Sequence, residues 1–439
     1  MVKIRKLLVA NRSEIAIRIF RAATELGLKT VAIYSRQDRF ALHRFKADEA
    51  YLVGGGQNPV QAYLGIDEIL RVAREAGADA IHPGYGFLAE DPELAEACVG
   101  AGMVWIGPPA EVMESLGDKV AARELAQRSG VPVMPASGAL PDDTAQAQRL
   151  GEEVGYPLMI KASWGGGGRG MRVVADPADL AEQLVAARRE AGAAFGRDEV
   201  FLERLVERAR HLEVQTLADE AGEVVHLYER DCTVQRRHQK VVERAPAHAL
   251  APDTRDEICE AAVRLMREAG YRNAGTVEFL QDVDSGKFFF IEVNPRIQVE
   301  HTVTEMVTGI DLVKAQIRIA EGVSIGTPES GVPAQADIRL HGHALQCRAT
   351  TEDPDNDFAP DHGRLTTYRE ATGFGIRLDG GTAYAGAEVT PFYDSLLEKI
   401  TAWAPTPEEA VARMDRALRE FRVRGVKTNL FFLEGLIAH

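Results

Sequence analysis

The 439-residue chain has four cysteines, and no two stand in a Cys-x-x-Cys spacing. Cys98, Cys232, Cys259 and Cys347 are too scattered for a structural zinc site or a disulfide framework. Free thiols instead point to a reducing compartment. Long apolar runs are also lacking. The N-terminal segment from Met1 to Ala10 offers four consecutive apolar residues, too few for a signal-peptide core, and no other run approaches transmembrane length. A cytoplasmic enzyme is the default expectation, with an organelle matrix after removal of a transit peptide as the alternative. The balance of 51 Lys and Arg against 66 Asp and Glu gives a net charge of -15 and argues against a nucleic-acid-binding surface. Basic residues should therefore matter locally, around an anionic substrate. Two phosphate-binding fingerprints are missing as well. The turn Asn11-Arg12-Ser13-Glu14 after the first strand lacks Gly-x-Gly-x-x-Gly, and no Gly-x-x-x-x-Gly-Lys-Ser/Thr loop occurs.

What is present is enough apolar material, 45% of residues, for a substantial core. The length suits about three domains. Leu7 to Ala10 reads as a strand, Ile15 to Leu26 as an amphipathic helix closed by Gly27, and Thr30 to Tyr34 as the next strand. Such alternation predicts a parallel sheet covered by helices. The Gly54-Gly55-Gly56 run reads as a turn. Pro108-Pro109 and the prolines from Pro132 to Pro135 bracket a helical linker containing Val112 to Ser129. Near the C-terminus, Thr406-Pro407-Glu408-Glu409 is a helix start, and Ala410, Val411, Met414, Leu418 and Phe421 give that helix an apolar face.

The most informative stretch runs from Gly275 to His301. Two apolar runs flank Asp284-Ser285-Gly286, the signal for a β-hairpin. With that turn as the loop, Glu278 and Glu292 face each other on one side of the sheet. Two ionised carboxylates so placed repel, and a divalent cation held by hard oxygen ligands reverses the sign of the interaction. From Glu292 onward the even positions are Glu292, Asn294, Arg296, Gln298 and Glu300, with apolar Val293, Ile297 and Val299 between them. An extended chain would put all five polar groups on one face beside the metal.

Two further clusters fit a nucleotide. Gly165-Gly166-Gly167-Gly168-Arg169-Gly170 suits neither helix nor strand; it is either a solvated flexible loop or a cover for phosphate oxygens. Lys161 precedes it and Lys119 lies in Gly117-Asp118-Lys119, so two lysines accompany the glycines. The stretch from Glu229 to Lys240 mixes Gln235, His238 and Lys240. It is either a solvated basic face or a surface for ribose, phosphate and a small oxyanion. His211 alone reads as a structural histidine.

Taken in order, these motifs resemble the biotin carboxylase family of ATP-grasp enzymes. The resemblance rests on Leu8-Val-Ala-Asn-Arg12, His82-Pro-Gly-Tyr-Gly-Phe87, Gly117-Asp-Lys119, the run from Lys161 to Met171, the run from Glu229 to Lys240, the run from Asn294 to His301, and Cys347-Arg-Ala-Thr-Thr-Glu-Asp-Pro354. The stretches beginning at Arg377, Thr401 and Arg424 are most similar to the biotin carboxylase domain of pyruvate carboxylases. One departure is Ser13, where the family has glycine; it either caps the following helix or strains the turn.

The resemblance implies a mixed α/β and α+β fold. It comprises an N-terminal parallel-sheet (pre-ATP-grasp) domain over 1–107, a helical linker over 108–132, an ATP-grasp lid with a mobile glycine-rich loop over 133–206, an ATP-grasp core over 207–330 and a C-terminal biotin carboxylase domain over 331–439. It further implies that ATP and bicarbonate give carboxyphosphate, which carboxylates biotin. Lys119, Lys161, Gly165, Gly166, Gly167, Gly168, Glu203, Leu205, His211, Gln235 and His238 match nucleotide-binding positions. Glu278 and Glu292, with Asn294 close by, match the Mg²⁺ site, with Mn²⁺ as an alternative ion. Lys240, Arg296, Gln298 and Val299 match the bicarbonate cradle, Glu300 the general base, and Arg348 the cation facing the biotin enolate. Beside Glu352 and Asp353, Arg348 also reads as a surface ion pair. The chain has no Met-Lys-Met biotin-attachment motif and no segment left for a carboxyltransferase. Biotin is thus expected on a partner carrier domain or subunit, with a carboxyltransferase elsewhere and a homodimer or larger carboxylase oligomer as the assembly. Another ATP-grasp carboxylate ligase and a silent scaffold subunit are the competing readings; neither a nucleic acid nor a membrane is an expected partner.

Overall fold

A computed structural model describes residues 2–164 and 171–439; the glycine run Gly165 to Gly170 lies outside them. The strand–helix alternation of the first hundred residues builds a five-stranded, all-parallel sheet. Lys6–Val9 is its central strand, between Lys29–Tyr34 and Ala80–His82, with Glu49–Leu52 and Val104–Trp105 at the edges. The helix Ser13–Glu25 buries Ile15, Ala16, Ile19 and Phe20. It ends as its sequence dictates. Gly27 takes φ 77°, its N–H reaches the Thr24 carbonyl, and the Leu28 N–H reaches the Ala23 carbonyl, both at 2.9 Å. That pair of bonds satisfies two carbonyls the helix would otherwise leave bare.

The second large sheet has eight antiparallel strands and runs unbroken from the middle of the chain into its last hundred residues. In spatial order they are Phe288–Asn294, Asn273–Asp282, Ala209–Ala218, Val224–Arg236, Gln239–Ala245, His343–Thr350, Leu396–Ala404 and Ile376–Gly380. A third, three-stranded sheet, Arg172–Val174, Leu158–Ala162 and Val200–Arg204, has its own core of Leu158, Ile160, Leu184, Ala187 and Leu202 under the helices Thr144–Val154 and Leu180–Phe195.

The expected helical linker is two helices, Ala110–Gly117 and Lys119–Arg128. Asp118 breaks them and caps the second, its carboxylate accepting from the Val120 and Ala121 N–H groups. Thr406 caps the helix Pro407–Glu420 through the Glu409 N–H at 3.2 Å. The buried face of that helix is Ala410, Met414, Ala417 and Leu418, while Val411 is 37% exposed, so the stripe is narrower than its sequence suggests. All four cysteines are free and buried. Among the described residues no helix is long and apolar enough to cross a membrane.

Ser13 starts its helix at φ 57°, a left-handed conformation, and its side chain makes no capping bond. The strained-turn alternative is therefore the one the structure adopts. Left-handed backbone costs a non-glycine residue about 1–2 kcal/mol, part of which glycine loses again through unfolded-state entropy. Ser13→Gly should therefore stabilise the N-terminal unit by about 0.5–1 kcal/mol, seen as a small rise in thermal midpoint. An unchanged or lower midpoint would show that the turn is not strained.

Candidate active site

The hairpin predicted from sequence is present, with Glu278 opposite Glu292. The register reaches that pairing by a route the sequence does not reveal. Next to the turn, Gln281 pairs with Phe288, Leu280 with Phe289 and Phe279 with Phe290; continued unchanged, this would set Glu278 against Ile291. A β-bulge absorbs Ile291. Phe288, Phe290 and Val293 thereby share one buried cluster, and Glu292 swings onto the face of Glu278.

The chain beyond Asn294 departs from expectation. The strand stops there, and residues 295–300 form a loop with a turn before the helix His301–Thr308. The even-numbered polar residues converge through that loop, not along an extended strand. Arg296 Nη1 donates to Gln298 Oε1 at 2.8 Å and its Nη2 to Asn294 Oδ1 at 3.1 Å, while Nε reaches Glu90 Oε1 at 2.5 Å. Gln298 is buried, and its Nε2 has no partner among the described residues. Ile297 is wholly buried and pins the loop.

At the centre lies one ammonium. Lys240 Nζ donates to Glu213 at 2.5 Å, Glu278 at 2.9 Å and Glu300 at 2.6 Å. Glu213 is fully buried and is also bound by Arg230, itself 0% exposed and held by Gln215, Thr276 and Thr304. On the other side, Arg348 Nη2 reaches Glu300 Oε2 at 3.0 Å and its Nε donates to the buried Glu243 at 2.6 Å. Arg348 therefore faces Glu300, not Glu352 or Asp353, which disposes of the surface-pair alternative. Burial pushes the Glu300 carboxyl up, but Lys240, Arg348 and Arg230 together hold it below the usual carboxylate range. Glu278 is likewise held well down against its burial, by Lys240 and by His211, whose Nε2 is 3.0 Å from Glu278 Oε2. The same contact raises His211 against its own burial. Glu292 goes the other way, raised by burial and by Glu278, with the Lys119 ammonium 3.8 Å away.

The remaining candidates surround the opposite end. Lys161 pairs with Glu203 across adjacent strands, and the Leu205 N–H donates to the Pro157 carbonyl at 2.9 Å. Gln235 Nε2 donates to the Cys232 carbonyl at 2.9 Å, and His238 sits exposed in the turn between two strands. Every candidate residue among the described ones lines a single cleft of about 1260 Å³. Glu213, Glu243, Arg230 and Glu90 belong to its charge network and were not singled out by sequence. Glu213 had one local signal, standing two residues after His211 on the same strand and hence on the same face.

Removing the shared cation tests this arrangement. In Lys240→Met the three carboxylates would have no ammonium among them, a change expected to cost about 3–5 kcal/mol. In the parent, Glu278 and Glu300 lie below their unfolded values, so their stability is present above the unfolded pKa and is lost as pH falls. In the variant Arg230, Arg348 and His211 still touch the carboxylates, but without the shared ammonium burial should raise them above their unfolded values, so stability is retained at low pH and lost as pH rises. The difference in thermal midpoint should therefore be widest near pH 8 and narrow toward pH 5. A difference independent of pH would sink this reading.

Known proteins match the chain along almost all of its length. Three family models match in succession: "Biotin carboxylase, N-terminal domain" over residues 3–113, "Carbamoyl-phosphate synthase L chain, ATP binding domain" over 118–327, and "Biotin carboxylase C-terminal domain" over 346–439. The pyruvate carboxylase of Bacillus subtilis (strain 168) is 54% identical over 436 residues, which are 99% of this chain and 38% of that protein. The chain thus spans well under half of the curated relatives it matches. Among solved structures, Rhizobium etli pyruvate carboxylase bound to the allosteric activator acetyl coenzyme-A superposes with a TM-score of 0.95 at 63% identity, covering 99% of this chain and 39% of that one. The biotin carboxylase domain dimer of Hydrogenobacter thermophilus 2-oxoglutarate carboxylase, in complex with MgADP, ADP and bicarbonate, gives 0.95 at 45% identity and covers 100% and 95% of the two chains. Campylobacter jejuni biotin carboxylase in a β,γ-ATP complex gives 0.94 at 40%, covering 100% and 96%. With a parallel-sheet N-terminal unit, an ATP-grasp core and a C-terminal unit that carries Arg348 to Glu300, the chain belongs to the biotin carboxylase family of ATP-grasp ligases.

Proposed function

We propose that the cleft uses ATP and bicarbonate to carboxylate biotin presented by a carrier domain or subunit. The observation that carries this reading is Glu300. It is a carboxylate with 1% exposure, gripped by Lys240 and Arg348 and followed by a helix that fixes its backbone. Next to it the orphaned Gln298 Nε2 and the Arg296 guanidinium offer donors for a small oxyanion.

In this reading Lys240, Arg296, Gln298 and the Val299 backbone seat bicarbonate, and Glu300 takes its proton. A carboxylate held as low as Glu300 is a weak base while both cations grip it. Seating an anionic substrate gives Lys240 and Arg348 other oxygens to share, so basicity rises when it is needed. Lys119, Lys161, His211, Gln235 and His238 hold the nucleotide phosphates and ribose, and Glu203 and Leu205 hold the adenine. Gly165 to Gly168 are assigned to nucleotide binding with them. Arg348 then turns to the biotin enolate.

The donor set fits Mg²⁺. Glu292 accepts no hydrogen bond among the described residues and faces Glu278; Glu278 would share an ion with Lys240 and His211, and Asn294 Oδ1 would exchange Arg296 for it. In the rival cluster of His211, Glu213 and Glu278, Glu213 is bound by both Lys240 and Arg230 and so offers less than Glu292 does. A bound ion would neutralise charge on the transferring phosphoryl group.

The wider assignments follow the relatives. Carboxyltransferase and carrier units are taken to lie on other domains or subunits, pyruvate is the first acceptor to test, and a homodimer or larger oligomer is the assembly. From the sequence we also propose the unit boundaries 1–107, 108–132, 133–206, 207–330 and 331–439, and a cytoplasmic location with an organelle matrix as the alternative.

ATP hydrolysis measured with Mg²⁺ while bicarbonate and free biotin are varied separately tests the reading. Turnover should require bicarbonate, rise with biotin, and fall about 10²–10⁴-fold in Glu300→Gln. Turnover indifferent to bicarbonate would overturn it and favour a different carboxylate substrate.

A further inference from the structure

Behind the loop that carries Glu300 lies a second buried cation with no part in the chemistry above. Lys399, on the strand Leu396–Ala404, is 0% exposed. Its Nζ donates to the Val299 carbonyl at 3.0 Å and stands 3.0 Å from Glu14 Oε2, at the start of the N-terminal helix. The Tyr85 ring lies 5.8 Å from the same ammonium. Lys399 is also the register partner of Arg348 on the neighbouring antiparallel strand. Directly paired residues project to the same face of a sheet. Two adjacent cations thus reach one turn: Arg348 takes the Glu300 side chain and Lys399 takes the backbone immediately before it.

We propose that Lys399 is a positioning residue that sets the peptide plane between Val299 and Glu300 and thereby aims the base. The inference rests on Glu300 acting as the base. A trans peptide is rigid, so fixing the Val299 carbonyl also fixes the Glu300 N–H, which points the opposite way. The direction in which the Glu300 side chain leaves the backbone follows from that plane. Among the described residues no other donor reaches the Val299 carbonyl. A carbonyl oxygen offers a buried ammonium one acceptor; Glu14 supplies the charge balance. Glu14 is a loosely held counter-ion. Neither of its oxygens accepts a well-directed hydrogen bond, and burial pushes its carboxyl up to about 7 despite Lys399. It offsets part of the Lys399 charge, while the directed contact of Lys399 is the one with the loop.

The competing role for Lys399 is a plain staple between the N-terminal helix and the C-terminal strands. Three variants separate the two: Lys399→Met, Glu14→Gln, and both together. The double variant removes the ion pair symmetrically and leaves no uncompensated charge, so its thermal midpoint should return close to the parent's. Its Val299 carbonyl still lacks a donor. Bicarbonate-dependent ATP hydrolysis should fall about 10–100-fold in kcat in Lys399→Met and stay low in the double variant, with KM for ATP within about twofold, because small misplacements of a reacting group cost that much. Glu14→Gln alone should keep at least half of the parental kcat.

Recovery of activity together with the thermal midpoint in the double variant would overturn the proposal. So would undiminished kcat in Lys399→Met, or failure of both Lys399 variants to fold while Glu14→Gln folds. If the parent itself lacks bicarbonate-dependent turnover, the functional reading fails. A crystal structure of the double variant then still decides on Lys399: a rotated Val299–Glu300 peptide supports it, and an unchanged plane refutes it.

Discussion

The site depends on a single constraint: many charges must be buried close together without any of them standing alone. Lys240 meets it by lying among Glu213, Glu278 and Glu300 at hydrogen-bonding distance from each. From there the signs alternate outward. Arg230 shares Glu213, and Arg348 bridges Glu300 to Glu243. Desolvating one carboxylate without a partner costs several kcal/mol, so each group here is tolerable only because its neighbour is present. The network is therefore less a source of stability than a way to keep an ionised base and two cations at fixed distances in a site of low dielectric.

Sheet geometry makes such a network affordable to place. Glu213, Arg230, Lys240, Glu278 and Arg348 come from five different strands of the eight-stranded sheet. In spatial order these strands carry Glu278, Glu213, Arg230, Lys240 and Arg348, two acidic strands beside three basic ones, and long side chains reaching across the sheet face bring the opposite charges together. The bulge at Ile291 performs the one correction the pleat cannot. Without it Glu292 would join the phenylalanine face and Glu278 would have no opposite carboxylate.

What could be read in the sequence follows from the same geometry. The Glu278–Glu292 pairing was legible because a hairpin is local and its turn residues announce its centre. The bulge was not, since Phe289 and Ile291 interrupt no hydrophobic pattern. The alternation from Glu292 to Glu300 suggested one extended face, but Pro295 and the turn at Val299 and Glu300 end the strand, and the polar residues meet around a bend. Glu243 and Lys399 carried no local signal at all, because their partners Arg348 and Val299 are 105 and 100 residues away. Ser13 was visible as an oddity, and only the backbone angle shows that it is strained.

The junction between Gln239–Ala245 and His343–Thr350 has a consequence for how the active site comes into being. Val242 pairs with Cys347 and Glu243 with Gln346, so the C-terminal strands are a direct continuation of the sheet that holds Lys240. Arg348 enters the cleft only by this pairing, and Leu396–Ala404 adds beside it. The N-terminal helix closes the arrangement from below, through Glu14 and through Arg18, which binds Glu305 and Asp311 at 2.7 Å each. Glu305 in turn accepts from Arg377 at 2.6 Å, on the last strand of the sheet. Glu300 and Glu305 lie on one short stretch of chain; Glu300 takes its cations from the middle of the sequence, Lys240 and Arg348, and Glu305 takes Arg18 and Arg377 from either side of them. The geometry of the base is thus a product of the whole chain's closure, and no segment of it folded separately would reproduce the distances around Glu300.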